Sequence, residues 1–163
     1  MQRRLQDVAL PLLIAAAESC PFEQESTYGF FLHDETAQKG SQNAVNQSVD
    51  RKAMVAYVHP QLGAASAGLV VGDRVVRVNA KSVEGESADT IMRLVRRLTA
   101  ARIQPLQLAV ERDVEPQIVT MWAVPACQFS LRLIESDIIN GVSNGRQVGV
   151  TTGAMRIFFW DDE

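Results

Sequence analysis

Few side chains in this 163-residue chain have the reactivity for catalysis or metal binding, and their spacing suits neither. The only histidines are His33 and His59. The residue four after each is Ala37 or Gly63, and neither histidine is followed by glutamate. A helix that holds zinc for hydrolysis needs two histidines at i and i+4 and a glutamate to activate water. Cys20 and Cys127 lie too far apart for a local metal motif, and two cysteines alone do not complete a zinc site. They pair in an oxidising compartment or stay buried as free thiols. His33, Asp34 and Ser66 supply the letters of a hydrolytic triad, but a triad is defined by geometry. Gly63, Gly68 and Gly72 are not closed by the Gly-Lys-Ser/Thr of a phosphate loop. Asn140-Gly141 and Asn144-Gly145 read as hairpin turns.

The composition, 47% hydrophobic and 21% charged, is that of an ordinary globular protein. A net charge of -3 gives no reason to expect nucleic acid or an anionic membrane surface as partner. Lysine occurs only at Lys39, Lys52 and Lys81. Arg93, Arg96, Arg97 and Arg102 cluster, as the solvated face of a helix or as a partner-binding patch. The apolar run at 8–17, bounded by Asp7 and Glu18, falls short of the roughly 20 residues of a membrane span.

The elements that must position any site follow from periodicity. Residues 3–19 are predicted helical, with Leu5, Val8, Leu12 and Ala16 on one face and Ala9 and Leu13 widening it. Pro11 is predicted to kink this helix or mark its first turn, and Cys20-Pro21 to end it. Tyr28-Gly29-Phe30-Phe31-Leu32 reads as a short strand. The polar stretch 33–51 reads as a long loop or ragged hairpin, and 52–59 returns to strand character. Small residues at Ala64 to Ala67 permit one helical turn, which Gly68 ends in the left-handed conformation. Gly72-Asp73 is a turn. Residues 74–79 form a strand, with Lys81-Ser82-Val83 as a brief partner.

Ser87 is placed to cap a helix over 88–101, and Asp89 favours its positive end. Ile91, Met92, Leu94, Val95 and Leu98 give that helix its apolar face. Strands are predicted at 106–111 and 117–122, joined through Asp113-Val114-Glu115-Pro116. Pro125 breaks the chain, 127–134 alternates again, 145–150 is a short strand and 152–159 a helix.

One segment is specific enough to name a family. Ala65-Ser66-Ala67-Gly68-Leu69, Gly72-Asp73-Arg74-Val75, Val78-Asn79 and Val83 resemble the signature of PDZ domains over about 20 residues. Ala80 departs from the glycine usual there, which bears on the turn type. The order of elements is similar to that of HtrA-like PDZ domains. The resemblance implies an extended or C-terminal peptide added as a strand to a sheet edge. Its terminal carboxylate would sit in a nest of backbone N–H groups at Tyr28-Gly29-Phe30-Phe31. The other groove wall would carry Ala88, Ile91, Met92 and Val95, which an apolar helix stripe would otherwise devote to the core.

A second resemblance lies in the flanks. Ser136, Asp137, Ile138, Ile139 and Asn140, then Gly149-Val150-Thr151-Thr152-Gly153-Ala154-Met155, resemble the opening of an HtpX-type zinc metallopeptidase domain. Gly141 stands where that family has alanine. The resemblance implies that a His-Glu-x-x-His helix follows Asp161-Asp162-Glu163 in the parent protein, so that zinc belongs to the parent and no cofactor to this fragment. It also implies that Cys20 and Cys127 bracket an inserted domain, where a disulfide would staple its ends in a cell-envelope or periplasmic setting.

The expected fold class is therefore α+β. A PDZ-like β-sandwich or partial barrel with one main helix occupies 27–114. The N-terminal helix of 1–26 and the C-terminal strands of 115–163 would belong to an incomplete peptidase domain. The expected function is peptide binding for substrate capture or regulation in a larger zinc metallopeptidase, this chain itself carrying no catalytic set. The alternative is a non-catalytic interaction module whose groove holds its own chain or another subunit.

Overall fold

The computed structural model describes residues 2–20, 24–36, 51–128, 130–144 and 147–158. The expectations for Pro21, the polar stretch 37–50, Gly145 and the segment 159–163 lie outside these residues. The chain divides into two compact units, Ser26–Val124 and Met1–Glu25 with Pro125–Glu163.

The latter unit opens with α1 (Gln2–Ala15) and a 3-10 turn, Ala17–Ser19. In these two elements Leu5, Ala9, Leu10 and Ala17 are buried, whereas Val8 and Leu12, expected on the inner face, are exposed. The helix runs through Pro11, which therefore does not mark its first turn. Pro11 is itself exposed.

The chain passes into the Ser26–Val124 unit along β1 (Gln24–Thr27). A meander follows: β2 (Phe30–Thr36), β3 (Arg51–Val58), the turn α2 (Gly63–Ser66), β4 (Arg74–Val78), β5 (Lys81–Ser82), α3 (Ala88–Ala100), β6 (Leu106–Arg112) and β7 (Glu115–Met121). The sheet order is β2-β3-β4-β6-β7, with β5 paired to β4 and all ladders antiparallel. The sheet is open, with β2 and β7 at its edges.

Several local expectations meet their physical cause here. Ser87 caps α3, its side chain accepting from the Thr90 N–H at 3.2 Å. Ala88, Ile91, Val95 and Thr99, spaced three and four apart, are the buried stripe. Gly68 ends α2 at φ +86°. In the β4–β5 hairpin the positive φ falls on Asn79 (50°), so Ala80 is not asked to replace a glycine in a left-handed position. Asp73 of the Gly72-Asp73 turn is fully buried. Its carboxylate accepts from Val70 N at 3.0 Å and, at 2.8 Å each, from Arg112 Nε and Nη2. Arg112 also donates to the Gly68 carbonyl at 2.8 Å, so a residue of β6 fastens both turns of the signature.

Three boundaries need correction. β2 extends through Thr36, because His33–Thr36 pair with Arg51–Met54 of β3 although their letters are polar. The boundary expected at 114 falls inside the β6–β7 hairpin: β7 pairs with β6 along its whole length and belongs to the Ser26–Val124 unit. Its two-residue turn is Asp113-Val114, both at positive φ (49° and 72°), with Glu115 and Pro116 already in the strand. Pro125 does not break the chain but lies within β8 (Val124–Cys127), which pairs with β1.

Beyond β8 come β9 (Ser130–Ile134), β10 (Gly141–Ser143), β11 (Gln147–Thr151) and α4 (Thr152–Phe158). β11 is central, parallel to β9 and antiparallel to β10. Asn140-Gly141 leads into β10 and is not a hairpin turn. Thr151 Oγ1 accepts from Asn140 N at 3.0 Å and donates to its carbonyl at 2.9 Å. Thr152 Oγ1 does the same with Ser136, at 3.1 and 2.8 Å, and Gly153 N donates to the Ser136 carbonyl at 2.8 Å. The two halves of the C-terminal motif are thus hydrogen-bonded to each other.

Candidate functional site

The free edge of β2 and the helix beside it are where the expected site residues converge. Among the described residues β2 has β3 on one side and no strand on the other, and α3 packs against both β2 and β3. The backbone enters β2 through Gly29 at φ +80°. A Cβ there would lie 2.6 Å from both Cβ and Cδ1 of Leu62, so both conformation and space call for glycine. The turn is fixed from within: the Tyr28 carbonyl accepts from Ala64 N at 3.0 Å and the Gly29 carbonyl from His59 N at 2.7 Å. Gly29 N donates to Thr27 Oγ1 at 3.2 Å.

Alternation along β2 sorts its side chains. Phe30, Leu32 and Asp34 share one face, and Phe31, His33 and Glu35 the other. Phe30 is buried and Leu32 half-buried against the core. Asp34 Oδ1 accepts from the Ala88 N–H at 2.6 Å, which places this face toward the start of α3. At the other end of α3, Thr99 Oγ1 donates to Val95 O at 2.8 Å and lies 3.5 Å from the Tyr28 hydroxyl. α3 is therefore tethered at its first residue to β2 and near its last turn to the Gly29 turn.

Of the expected groove residues, Tyr28, Phe30, Ala88, Ile91 and Val95 lie in the hydrophobic core. Gly29 is buried in the turn, while Phe31 and Met92 are half-buried. Phe31 stacks beside Tyr57 of β3, ring centroids 5.8 Å apart. Leu32 and Asp34 were missed, though a period of two from Phe30 would have found them.

The two ends of α3 differ in charge. Arg96, Arg97 and Arg102, at or just past the C-terminal half of α3, are exposed. Around its start lie exposed acids: Asp34, Glu35, Glu86 and Asp89. Two of these face cations: Asp89 pairs with Arg93 at 2.8 Å, and Glu35 stands opposite Lys52 in the ladder.

Among the described residues the histidines, Ser66 and the cysteines lie on or just beyond separate elements. His59 is buried, and its Nδ1 accepts from Gln61 N at 3.2 Å. His33 is on β2 and Ser66 on α2, with no hydrogen bond between them among the described residues. No group of three histidine, cysteine or acidic side chains among the described residues could hold a metal ion. Cys20 and Cys127 are joined in a disulfide, with Cα atoms 5.3 Å apart. No helix among the described residues is long and apolar enough to cross a membrane.

Known proteins share this segment. The profile of the PDZ domain matches residues 21–111, more than half of the chain. Na(+)/H(+) exchange regulatory cofactor NHE-RF2 of Mus musculus is 32% identical over 94 residues, which are 58% of this chain and 23% of that protein. Its counterpart in Oryctolagus cuniculus is 31% identical over 94 residues, 25% of its length. The chain thus spans about a quarter of the curated relatives it matches. Among solved structures, the HtrA3 PDZ domain bound to a phage-derived ligand (FGRWV) is 17% identical, with a TM-score of 0.45, covering 64% of this chain and 91% of that one. HtrA-type protease AlgW with decapeptide is 18% identical, with a TM-score of 0.45, covering 63% and 30%.

Proposed function

The chain belongs to the PDZ domain family, and from that premise we propose that its groove binds peptide C-termini or extended segments as an added strand on β2. The observation that carries this is the free edge of β2 alongside α3. An unpaired edge offers a row of backbone donors and acceptors, and a peptide strand satisfies them. With the Tyr28 and Gly29 carbonyls engaged by Ala64 and His59, the following turn is held ready to turn N–H groups toward a carboxylate. Leu32 and Met92, half-buried, give the ligand apolar surface. Titration of the full chain with fluorescent peptide libraries, free or amidated at the C-terminus, tests the reading. Saturable binding that amidation weakens is expected. No saturable binding to any library would overturn it, and occupation of the groove by a neighbouring chain segment would replace it with a self-filled interaction module.

The binding unit would serve a larger zinc metallopeptidase, capturing or gating substrate, with zinc in the parent's remaining domain. The motif at Ser136 to Asn140 and Thr151 to Met155 supports this. Its hydrogen-bonded halves belong to a unit separate from Ser26–Val124. A His-Glu-x-x-His helix encoded directly after Glu163 is the expected finding in the native reading frame, and an unrelated segment there would sink the peptidase link. A joined Cys20–Cys127 pair favours an oxidising, cell-envelope setting.

A further inference from the structure

We propose that Asp34 sets ligand choice, making the groove prefer peptide C-termini with a lysine or arginine about three or four residues before the last. This rests on the peptide-binding reading above and adds a preference to it.

The direction of the ligand follows from the turn. A carboxylate held at Gly29 to Phe31 puts the peptide's last residue beside the start of β2, so the peptide runs antiparallel to that strand. Each step upstream in the peptide advances one residue along β2, at roughly 3.4 Å per residue. Asp34 lies three residues beyond Phe31 and shares a face with Phe30 and Leu32. It therefore meets the peptide about three or four residues before the terminus.

Asp34 differs from Asp89 and Glu35 in its partners. Asp89 has Arg93, and Glu35 has Lys52 across the ladder. Asp34 accepts from a neutral backbone N–H, Ala88 N at 2.6 Å, through Oδ1 alone, and no cation pairs with it among the described residues. That bond fixes the carboxylate across the two groove walls while the side chain stays exposed. Its negative charge is thus oriented beside the positive end of α3, has no cationic side chain on it among the described residues and stays open to a ligand. At the opposite end, exposed Arg96, Arg97 and Arg102 offer positive potential where the terminal carboxylate would dock. A peptide with a terminal carboxylate and an upstream cation complements both ends.

The test uses short fluorescein-labelled peptide pools with a free C-terminal valine, random except for lysine or glutamate at the third or fourth residue before it. Fluorescence anisotropy of the full chain at low salt should give about fivefold tighter binding for the lysine pools, narrowing as salt rises. Asp34→Asn keeps an oxygen to accept from Ala88 N and removes only the charge. It should bring the lysine-to-glutamate ratio close to one while lowering the melting temperature by no more than a few degrees, since only the interaction of the charge with the start of α3 is lost. Equal binding of both pools by the natural protein, or a ratio that survives in D34N, overturns the role of Asp34 and leaves the peptide site standing. Failure of every pool to bind overturns both.

Discussion

Two residues carry conformational demands that no substitute meets. Gly29 combines φ +80° with a Leu62 side chain 2.6 Å from where a Cβ would stand. Gly29→Ala should therefore cost about 2 kcal/mol or more and weaken peptide binding with it, measured by urea unfolding and by anisotropy. An unchanged unfolding midpoint would mean that Leu62 moves aside freely. Asp73 is the second. Its buried carboxylate takes three hydrogen bonds, two from a guanidinium. Asp73→Ala leaves the Val70 N–H without this acceptor, while part-exposed Arg112 can turn to water, and should destabilise by about 1–3 kcal/mol. A loss below about 1 kcal/mol, the worth of an ordinary exposed pair, would show that the pair is not structural.

Among the elements, the β6–β7 hairpin is the one whose sequence and geometry conflict. A two-residue turn with both residues at positive φ suits Asp-Gly or Asn-Gly, yet its second position is Val114. Branching at Cβ disfavours that conformation, and Val114 is 92% exposed, so burial gives nothing in return. Val114→Gly should stabilise the protein by about 1 kcal/mol, read as a higher denaturation midpoint with an unchanged slope. A lower midpoint would mean that Val114 makes a compensating contact or that the turn differs. α3 behaves the other way, since its Ser87 cap, its buried stripe and its tether to Asp34 all favour the same placement.

For the whole molecule, the disulfide closes a loop of 107 residues in sequence separation and ties the chain just outside both of its passages into the Ser26–Val124 unit. In the chain-entropy model a closure of that length is worth about 4–5 kcal/mol. Replacing both Cys20 and Cys127 with serine should lower the stability of the full chain accordingly. Alkylation of the native protein without reductant should label neither cysteine by mass spectrometry. Two labelled thiols in the native protein would refute the staple.

The sequence by itself determined the local elements and the family. Ser87 before an apolar stripe, Gly68 after a run of small residues and Gly72-Asp73 before an alternating strand act through neighbours a few residues away, so their spacing is legible in one dimension. Tertiary structure decided what depends on distant partners. Arg112 reaches Asp73 across 39 residues and Asp34 reaches Ala88 across 54, and no periodicity encodes either pairing. The polar letters of His33–Thr36 become strand because β3 supplies their hydrogen bonds. β7 joins the sheet because β6 pairs with it throughout. In α1, Ala9 and Leu10 are buried while Val8 and Leu12 face solvent, a choice between two apolar faces that packing alone makes. The same holds for the groove: the apolar letters of α3 are equally those of a core helix, and only the fold separates buried Ile91 and Val95 from half-exposed Met92.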